Sequence, residues 1–243
     1  MITGASSGIG EALAKEYAAP GVTLHLSGRN IERLNAIKAV CEAHGATVHT
    51  QIIDVTDEIA MSDWILGCGT LDLVIANAGV SSGIRADDNI AAHTANVFKI
   101  NVGGVFNTVH PAIERMKPTG RGQIAIVSSV AGFRGLPSSP AYSTSKVTVR
   151  AYGEALRGFY HADGLEINII CPGFVRSRLT DKNKFKMPFF MEADRAAKII
   201  RRGLEKNKAN IMFPWQMRVL TFTARRLIPE FILERILRRL PKK

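Results

Sequence analysis

The chain has 243 residues, 46% of them hydrophobic and 22% charged, which excludes disordered and collagen-like classes and suits one α/β domain with a sizeable core. The net charge is +11, and residues 215–243 hold eight basic and two acidic side chains, so +6 of it lies in the last 29 residues. That asymmetry points to an anionic contact for the tail rather than for the body.

Residues 1–3 are all that precedes a glycine-rich turn, so a first strand is very short or lacks a few residues. Met1 leads straight into that turn, and no signal peptide is expected. No apolar run approaches the roughly 18 residues of a membrane span. Apolar, β-branched runs at 22–27, 47–54, 71–76, 123–128, 166–171 and 209–213 predict buried strands. Helical patterns fill 8–19, 30–44, 57–66, 88–116, 141–162 and 192–206, with Asn30 and Thr56 as N-caps and Gly45 as a C-cap. Strands alternating with helices predict right-handed βαβ units, an α/β fold whose doubly wound parallel sheet is covered on both faces. Such sheets bind ligands at the carboxyl ends of their strands. The domain is expected to span 1–213, with a helical extension over 214–243. Cys41, Cys68 and Cys171 are too few and too far apart for a disulfide framework or a CxxC zinc site, which suggests buried thiols in a reducing cytosol. The six histidines are scattered, and no metal is expected.

Thr3-Gly4-Ala5-Ser6-Ser7-Gly8-Ile9-Gly10 opens the chemistry. Its glycines allow a tight turn and close backbone approach, and the helix that follows offers free N–H groups and a positive dipole end to a pyrophosphate. Gly4 to Gly8 also fits the G-x-S-x-G nucleophile elbow of hydrolases, but an elbow needs an upstream loop to complete its oxyanion hole, and almost no chain lies upstream. The second strand ends at Gly28-Arg29. An acidic residue there would suit the ribose 2′-OH of NAD, whereas Arg29 suits a 2′-phosphate and favours NADP; a merely solvated charge is the alternative. Tyr142 and Lys146 stand at i and i+4 on one helical face. An ammonium beside a phenol favours the phenolate and moves its pKa toward working pH. Ser129 ends the strand 123–128 at its carboxyl edge, where its hydroxyl can hold a substrate oxygen. Asn101 can orient the lysine through a water or a carbonyl.

Taken in order, these residues resemble the short-chain dehydrogenase/reductase family over about 1–213. Thr3–Gly10, with Gly4, Ser6, Ser7, Gly8, Ile9 and Gly10, resembles the family's cofactor turn. Asp54-Val55 is similar to the pair at the adenine ring, and Asn77-Ala78-Gly79 to the turn that stabilises the sheet beside the cofactor. Asn101, Ser129, Tyr142 and Lys146 resemble the catalytic tetrad. Pro172-Gly173-Phe174-Val175-Arg176-Ser177 resembles the segment at the nicotinamide, with Ser177 where threonine is usual. The resemblance implies a Rossmann-like fold and an NAD(P)-dependent enzyme interconverting a carbonyl and a secondary alcohol. Tyr142 would exchange the proton, Ser129 would hold the oxyanion, Lys146 would lower the tyrosine pKa and hold the ribose, and Asn101 would anchor a water chain. An NAD-dependent alcohol dehydrogenase and a dinucleotide-binding sensor or scaffold with little catalysis are the alternatives. The resemblance also implies a homodimer or homotetramer, through the helices at 88–116 and 141–162.

The resemblance implies a lid over residues 178–191, with Phe185, Met187, Phe189, Phe190 and Met191 on an apolar inner side and Lys182, Lys184 and Lys186 outside it or facing an anionic group of the substrate. A fairly apolar substrate follows; an ordinary surface loop is the alternative. In the tail, Ile232, Leu233, Ile236, Leu237 and Leu240 make one helical stripe, bracketed by Pro229-Glu230 and Pro241, and Glu234, Arg235, Arg238 and Arg239 make the other. Such a helix either packs on protein or lies on an anionic membrane surface. The protein is therefore expected to be cytoplasmic, with peripheral membrane contact through 215–243 as an option. No stacking platform or helix-turn-helix accompanies the basic residues, and nucleic acid is not expected.

Overall fold

A computed structural model describes residues 1–81, 89–181, 187–227, 229, 231, 232 and 235. Six strands are β1 (Thr23–Gly28), β2 (Thr47–Ile52), β3 (Leu73–Ala76), β4 (Gly122–Val127), β5 (Leu165–Pro172) and β6 (Asn210–Phe213). All pair in parallel, β1 with β2 and then β3-β4-β5-β6 in order.

The short opening segment joins the two halves. Ile2 bridges in parallel to Leu26 of β1 on one side and to Ile75 of β3 on the other. Its N–H donates to His25 O at 2.8 Å, and the Ile75 N–H donates to Met1 O at 2.9 Å. Three residues thus do the work of a central strand. From it the chain runs outward to β1 and later returns to β3 on the opposite side. That reversal is where a parallel sheet opens a crevice at its carboxyl edge.

Helices cover both faces: α1 (Gly8–Tyr17), α2 (Ile31–Ala43) and α7 (Ala193–Glu205) on one, α3 (Glu58–Leu66), α5 (Gly104–Met116) and α6 (Pro140–Phe159) on the other. Each face has its own core. Leu13, Leu26, Leu34 and Ile200 pack in the first, Met61, Ile65, Val109 and Ile126 in the second. Asn30 caps α2 by accepting from Arg33 N at 2.8 Å, and Gly45 leaves that helix at φ +86°. The cap of α3 is Asp57, which accepts from Ala60 N, rather than Thr56.

The single helix expected over 88–116 is broken. α4 (Ile90–Phe98) passes into a π turn at Lys99–Gly103 and then into α5. An apolar period read along a sequence does not register one widened turn, and π turns are commonly found at functional sites. The turn buries Asn101 completely. Just after it, Gly104 lies so close to β2's exit that a Cβ would stand 2.5 Å from Val55 Cγ2. The extension begins as α8 (Trp215–Leu227), packed against β6 and the 3₁₀ turn Val130–Phe133. No helix among the described residues is long and apolar enough to cross a membrane. The expected tail helix from 229 lies largely outside the described residues, as do Lys182, Lys184, Phe185 and Lys186.

Ile126→Ala, at a fully buried position near the carboxyl end of β4, is expected to lower unfolding stability by about 2–5 kcal/mol. Ile59→Ala, at a position 75% exposed, is expected to change it by less than about 0.5 kcal/mol. Urea unfolding of the two variants checks both.

Candidate active site

The glycine-rich turn is held from below. Thr3 Oγ1 accepts the backbone N–H groups of Asn77 and Ala78 at 3.1 and 3.2 Å, and Asn77 Nδ2 donates to Thr3 O and Gly4 O. Gly4 takes φ +65° and Gly8 φ +60°, the left-handed region that favours glycine. A Cβ on Gly10 would stand 2.5 Å from both Asn77 Nδ2 and Gly4 O, and one on Gly8 would stand 2.8 Å from Ser177 Cβ. The turn, the Asn77-Ala78-Gly79 segment and Ser177 therefore form one close-packed cradle. Ser7 is the N-cap of α1 and makes no side-chain capping bond, so the first N–H groups of a ten-residue helix open toward the cradle.

At the end of β1, Arg29 pairs with Asp54 at 3.4 Å across an exposed surface, a contact of little energetic weight. Burial works to raise the Asp54 carboxyl, but hydrogen bonds from Thr56 and the Arg29 charge outweigh it and hold the group below its usual range. Arg33, in the first turn of α2, lines the same end of the cleft. Its Nε is shut off from solvent and finds no hydrogen-bond partner. Such an orphaned donor fits an anionic group that the chain itself does not provide. Sequence reasoning passed over Arg33. Its place in the first turn of the helix that follows Arg29 is the signal in the sequence.

At the other end, Tyr142 and Lys146 lie one turn apart on α6, with Lys146 Nζ 6.0 Å from the Tyr142 ring centre. Ser129 starts the 3₁₀ turn after β4, and its Oγ accepts from Ala131 N at 3.1 Å. Its hydroxyl is also hydrogen-bonded to Tyr142. Lys146 is buried and donates to Val127 O at 2.9 Å. Burial lowers its pKa from 10.5 to about 8. Burial also pushes the Tyr142 phenol up, partly opposed by the Ser129 hydrogen bond. Lys146 was expected to lower the tyrosine pKa; in this structure the phenol stands above its ordinary value, with burial as the largest cause and the Ser129 hydrogen bond opposing it.

Asn101 joins the group through its π turn. Its Oδ1 accepts from Val80 N at 2.8 Å, and its Nδ2 donates to Val80 O and to Ser145 Oγ, both at 3.0 Å. Gly79 leaves room for the set, since a Cβ there would stand 3.1 Å from Asn101 Oδ1 and 3.4 Å from Lys146 Nζ. Asn101 does not line the cleft, whereas Ser129, Tyr142 and Lys146 do.

These groups share one cleft of about 900 Å³. The cradle, Arg29, Asp54 and Val55 line one arm, and Pro172, Gly173, Val175 and Ser177 line its floor. Val130, Phe133, Leu136, Leu179, Met217 and Leu220 make the wall beyond Ser129 largely apolar. Phe189 and Phe190 face solvent, and Met191 pairs with Val175 in a β-bridge, so the lid's apolar inner side is not built from them. The wall comes from the 3₁₀ turn, Leu136, Leu179 at the start of the expected lid segment, and α8.

A βαβ sheet with a glycine cradle at its switch point and a Ser–Tyr–Lys group beside it, its serine and lysine buried and its tyrosine facing the cleft, defines a dinucleotide-fold oxidoreductase. Residues 1–187 match the family model described as short chain dehydrogenase, and the chain belongs to that family. It is 37% identical over 244 residues to an "Uncharacterized oxidoreductase" of Myxococcus xanthus, covering 99% of this chain and 96% of that one. A short-chain dehydrogenase from Sphingobium yanoikuyae, solved in complex with NADPH, shares the fold with a TM-score of 0.82 at 22% identity, covering 99% of this chain and 95% of that one. A short-chain dehydrogenase from Mycobacterium paratuberculosis, bound to NAD, superposes at TM-score 0.75 with 25% identity, over 87% of this chain and 93% of that one.

Lys146 also sets a pH dependence of stability. Its folded pKa of about 8 lies below the free value of 10.5, so between these values the unfolded chain binds more protons and stability rises with pH. Lys146→Met is expected to lose that rise. Urea midpoints of the cofactor-free protein from pH 7.5 to 10, taken as wild type minus variant, measure it.

Proposed function

We propose that the protein is an NADP(H)-dependent oxidoreductase that reduces a carbonyl to a secondary alcohol, or runs the reverse, on a fairly apolar small molecule. The observation that carries this is the shared hydrogen bond of Ser129 and Tyr142 at the meeting of the glycine-lined arm and the apolar arm of one cleft. When bound, a nicotinamide dinucleotide supplies or accepts the hydride.

The chain's residues divide the remaining work. Gly4, Ser6, Ser7, Gly8, Ile9 and Gly10 would cradle the pyrophosphate at the start of α1. Asp54 and Val55 would face the adenine, Asn77, Ala78 and Gly79 would back the dinucleotide, and Pro172, Gly173, Val175 and Ser177 would lie beneath the nicotinamide. Arg29 and Arg33 would take the 2′-phosphate between them, which satisfies the orphaned Arg33 donor.

Tyr142 carries its phenolic proton at neutral pH, its pKa pushed further up by desolvation, and donates that proton to the carbonyl oxygen as the alcohol forms. The Ser129 hydroxyl donates a hydrogen bond to the same oxygen and stabilises the charge that develops there. The tyrosinate left behind keeps the Ser129 hydrogen bond and gains from the Lys146 ammonium one turn away. Asn101 acts through others: by fixing the Val80 backbone and Ser145, it holds the lysine's surroundings in place. In the reverse direction Tyr142 must first lose its proton, so oxidation is favoured at higher pH.

We also read the half-exposed ring cluster Phe106–His110–Tyr152 on α5 and α6 as part of a homo-oligomer contact. Residues 1–213 would form the catalytic domain, and 214–243 its accessory extension.

Tyr142→Phe is expected to lower ketone-dependent NADPH oxidation at least 100-fold while leaving NADPH binding within about two-fold, as removal of a general acid predicts. Turnover unchanged in the variant would refute the assignment, and tight NADPH binding with no turnover of any carbonyl by wild type would favour the sensor reading. Arg33→Ala is expected to weaken NADPH about 10- to 100-fold and NADH less than two-fold, as loss of a charged hydrogen bond predicts. Cofactor fluorescence titration measures both.

A further inference from the structure

α8 carries two different stripes on opposite faces. Met217, Leu220 and Thr221, at i, i+3 and i+4, line the cleft beyond Ser129. Trp215, Val219 and Phe222, at i, i+4 and i+7, point away from it and are 69, 51 and 53% exposed. At 100° per residue the two stripes lie roughly 180° apart. Leu220 lines the cleft and is also 54% exposed, so it stands on the rim of the opening. Leu179 faces it in the same way, lining the cleft while 38% exposed. One side of the mouth is therefore an apolar shelf on the molecule's surface, larger than scattered single side chains would make it.

Charge selects what covers the shelf. Arg218 is exposed on α8, and no acidic residue occurs between Trp215 and Pro229. The whole segment 215–243 carries +6. A second copy would bring the same cationic segment against itself, whereas an anionic lipid surface complements both the charge and the apolar side chains. The α8 helix is 13 residues long, too short to cross a bilayer, and fits one lying in the interface.

We propose that α8 seats the mouth of the cleft on an anionic lipid surface, with Trp215, Val219 and Phe222 among the acyl chains, so that the substrate enters from the bilayer. The substrate class is then a membrane-dissolved ketone or secondary alcohol. The substrate statement rests on the carbonyl chemistry proposed above; the seating does not.

The test uses the full chain and a triple variant, Trp215→Ser with Val219→Ser and Phe222→Ser, at positions that do not line the cleft. Wild type is expected to co-sediment with vesicles of phosphatidylglycerol and phosphatidylcholine at least ten-fold more than with phosphatidylcholine alone, and its tryptophan emission to shift to the blue. The triple variant is expected to lose vesicle binding at least ten-fold while keeping NADPH binding and reduction of a water-soluble ketone within two-fold. Its reduction of a long-chain ketone dissolved in the vesicles is expected to fall at least ten-fold. Failure of wild type to bind anionic vesicles, or equal binding by the variant, would overturn the seating. So would a change of oligomeric state in the variant with vesicle binding intact, since a second copy would then cover the shelf. Equal losses on soluble and vesicle-dissolved ketones would overturn entry from the bilayer. Absence of turnover by wild type on every ketone would count against the carbonyl reading, while vesicle binding is scored without substrate.

Discussion

The Thr3–Asn77 clamp is the contact on which the site depends. Thr3 follows the Ile2 bridge between β1 and β3, and its hydroxyl receives two backbone N–H groups from the segment just after β3. Asn77 returns two hydrogen bonds to the carbonyls of Thr3 and Gly4. These four bonds fix the height of the glycine turn above the sheet and set the direction in which α1 starts. They also tie the two halves of the sheet at the crevice, because Thr3 and Asn77 follow the segments that Ile2 bridges. Loss of the clamp would leave buried backbone donors unpaired, which costs more than the bonds contribute when made.

A second constraint acts from the other side. The π turn at Lys99–Gly103 directs Asn101 into the interior, where it binds Val80 and Ser145 together. Ser145 lies beside Lys146 on α6, and Val80 follows Gly79, whose missing side chain admits both Asn101 and Lys146. The lysine is thus placed by three elements at once: α6, the turn after β3 and the carbonyl of Val127 at the end of β4. Burying an ammonium with one backbone acceptor is costly, and the drop of its pKa to about 8 expresses that cost. The same burial pushes the neighbouring phenol's pKa up. In the proposed mechanism Tyr142 would give up its proton and the lysine's cation would stabilise the anion left behind.

Much of this was legible in the sequence, for identifiable reasons. Parallel strands buried on both faces read as continuous apolar runs, as in β3 and β4, whereas β2, also expected to be buried, lies at the sheet edge with only Val48 buried and shows in the sequence through its β-branched residues. The glycine turn, Asn77 and Ser129 sit at element ends, where side-chain chemistry rather than packing decides the residue, and Tyr142 and Lys146 stand out as a polar i, i+4 pair within the first two turns of α6. The π turn was not legible, because one widened turn leaves the apolar periodicity of 88–116 nearly intact. The Asp57 cap was displaced from Thr56 by a single position, the usual uncertainty at helix starts. Nothing in the sequence around Arg33 marks it beyond its place in the first turn of α2, and the three-dimensional placement of its Nε singles it out. The inward stripe of α8 was hidden because Met217, Leu220 and Thr221 gain meaning only once β6 and the 3₁₀ turn set that helix over the cleft.

The central claim is that Tyr142 protonates a carbonyl at the moment hydride reaches its carbon. Mass spectrometry of the alcohol formed from a ketone and NADPH deuterated at the transferred position tests it most directly. The account predicts one deuterium on the carbinol carbon with wild type, and no labelled alcohol above background with Tyr142→Phe. Labelled alcohol formed equally by both proteins would contradict the role given to Tyr142. Alcohol formed without the label would contradict hydride transfer in this cleft altogether.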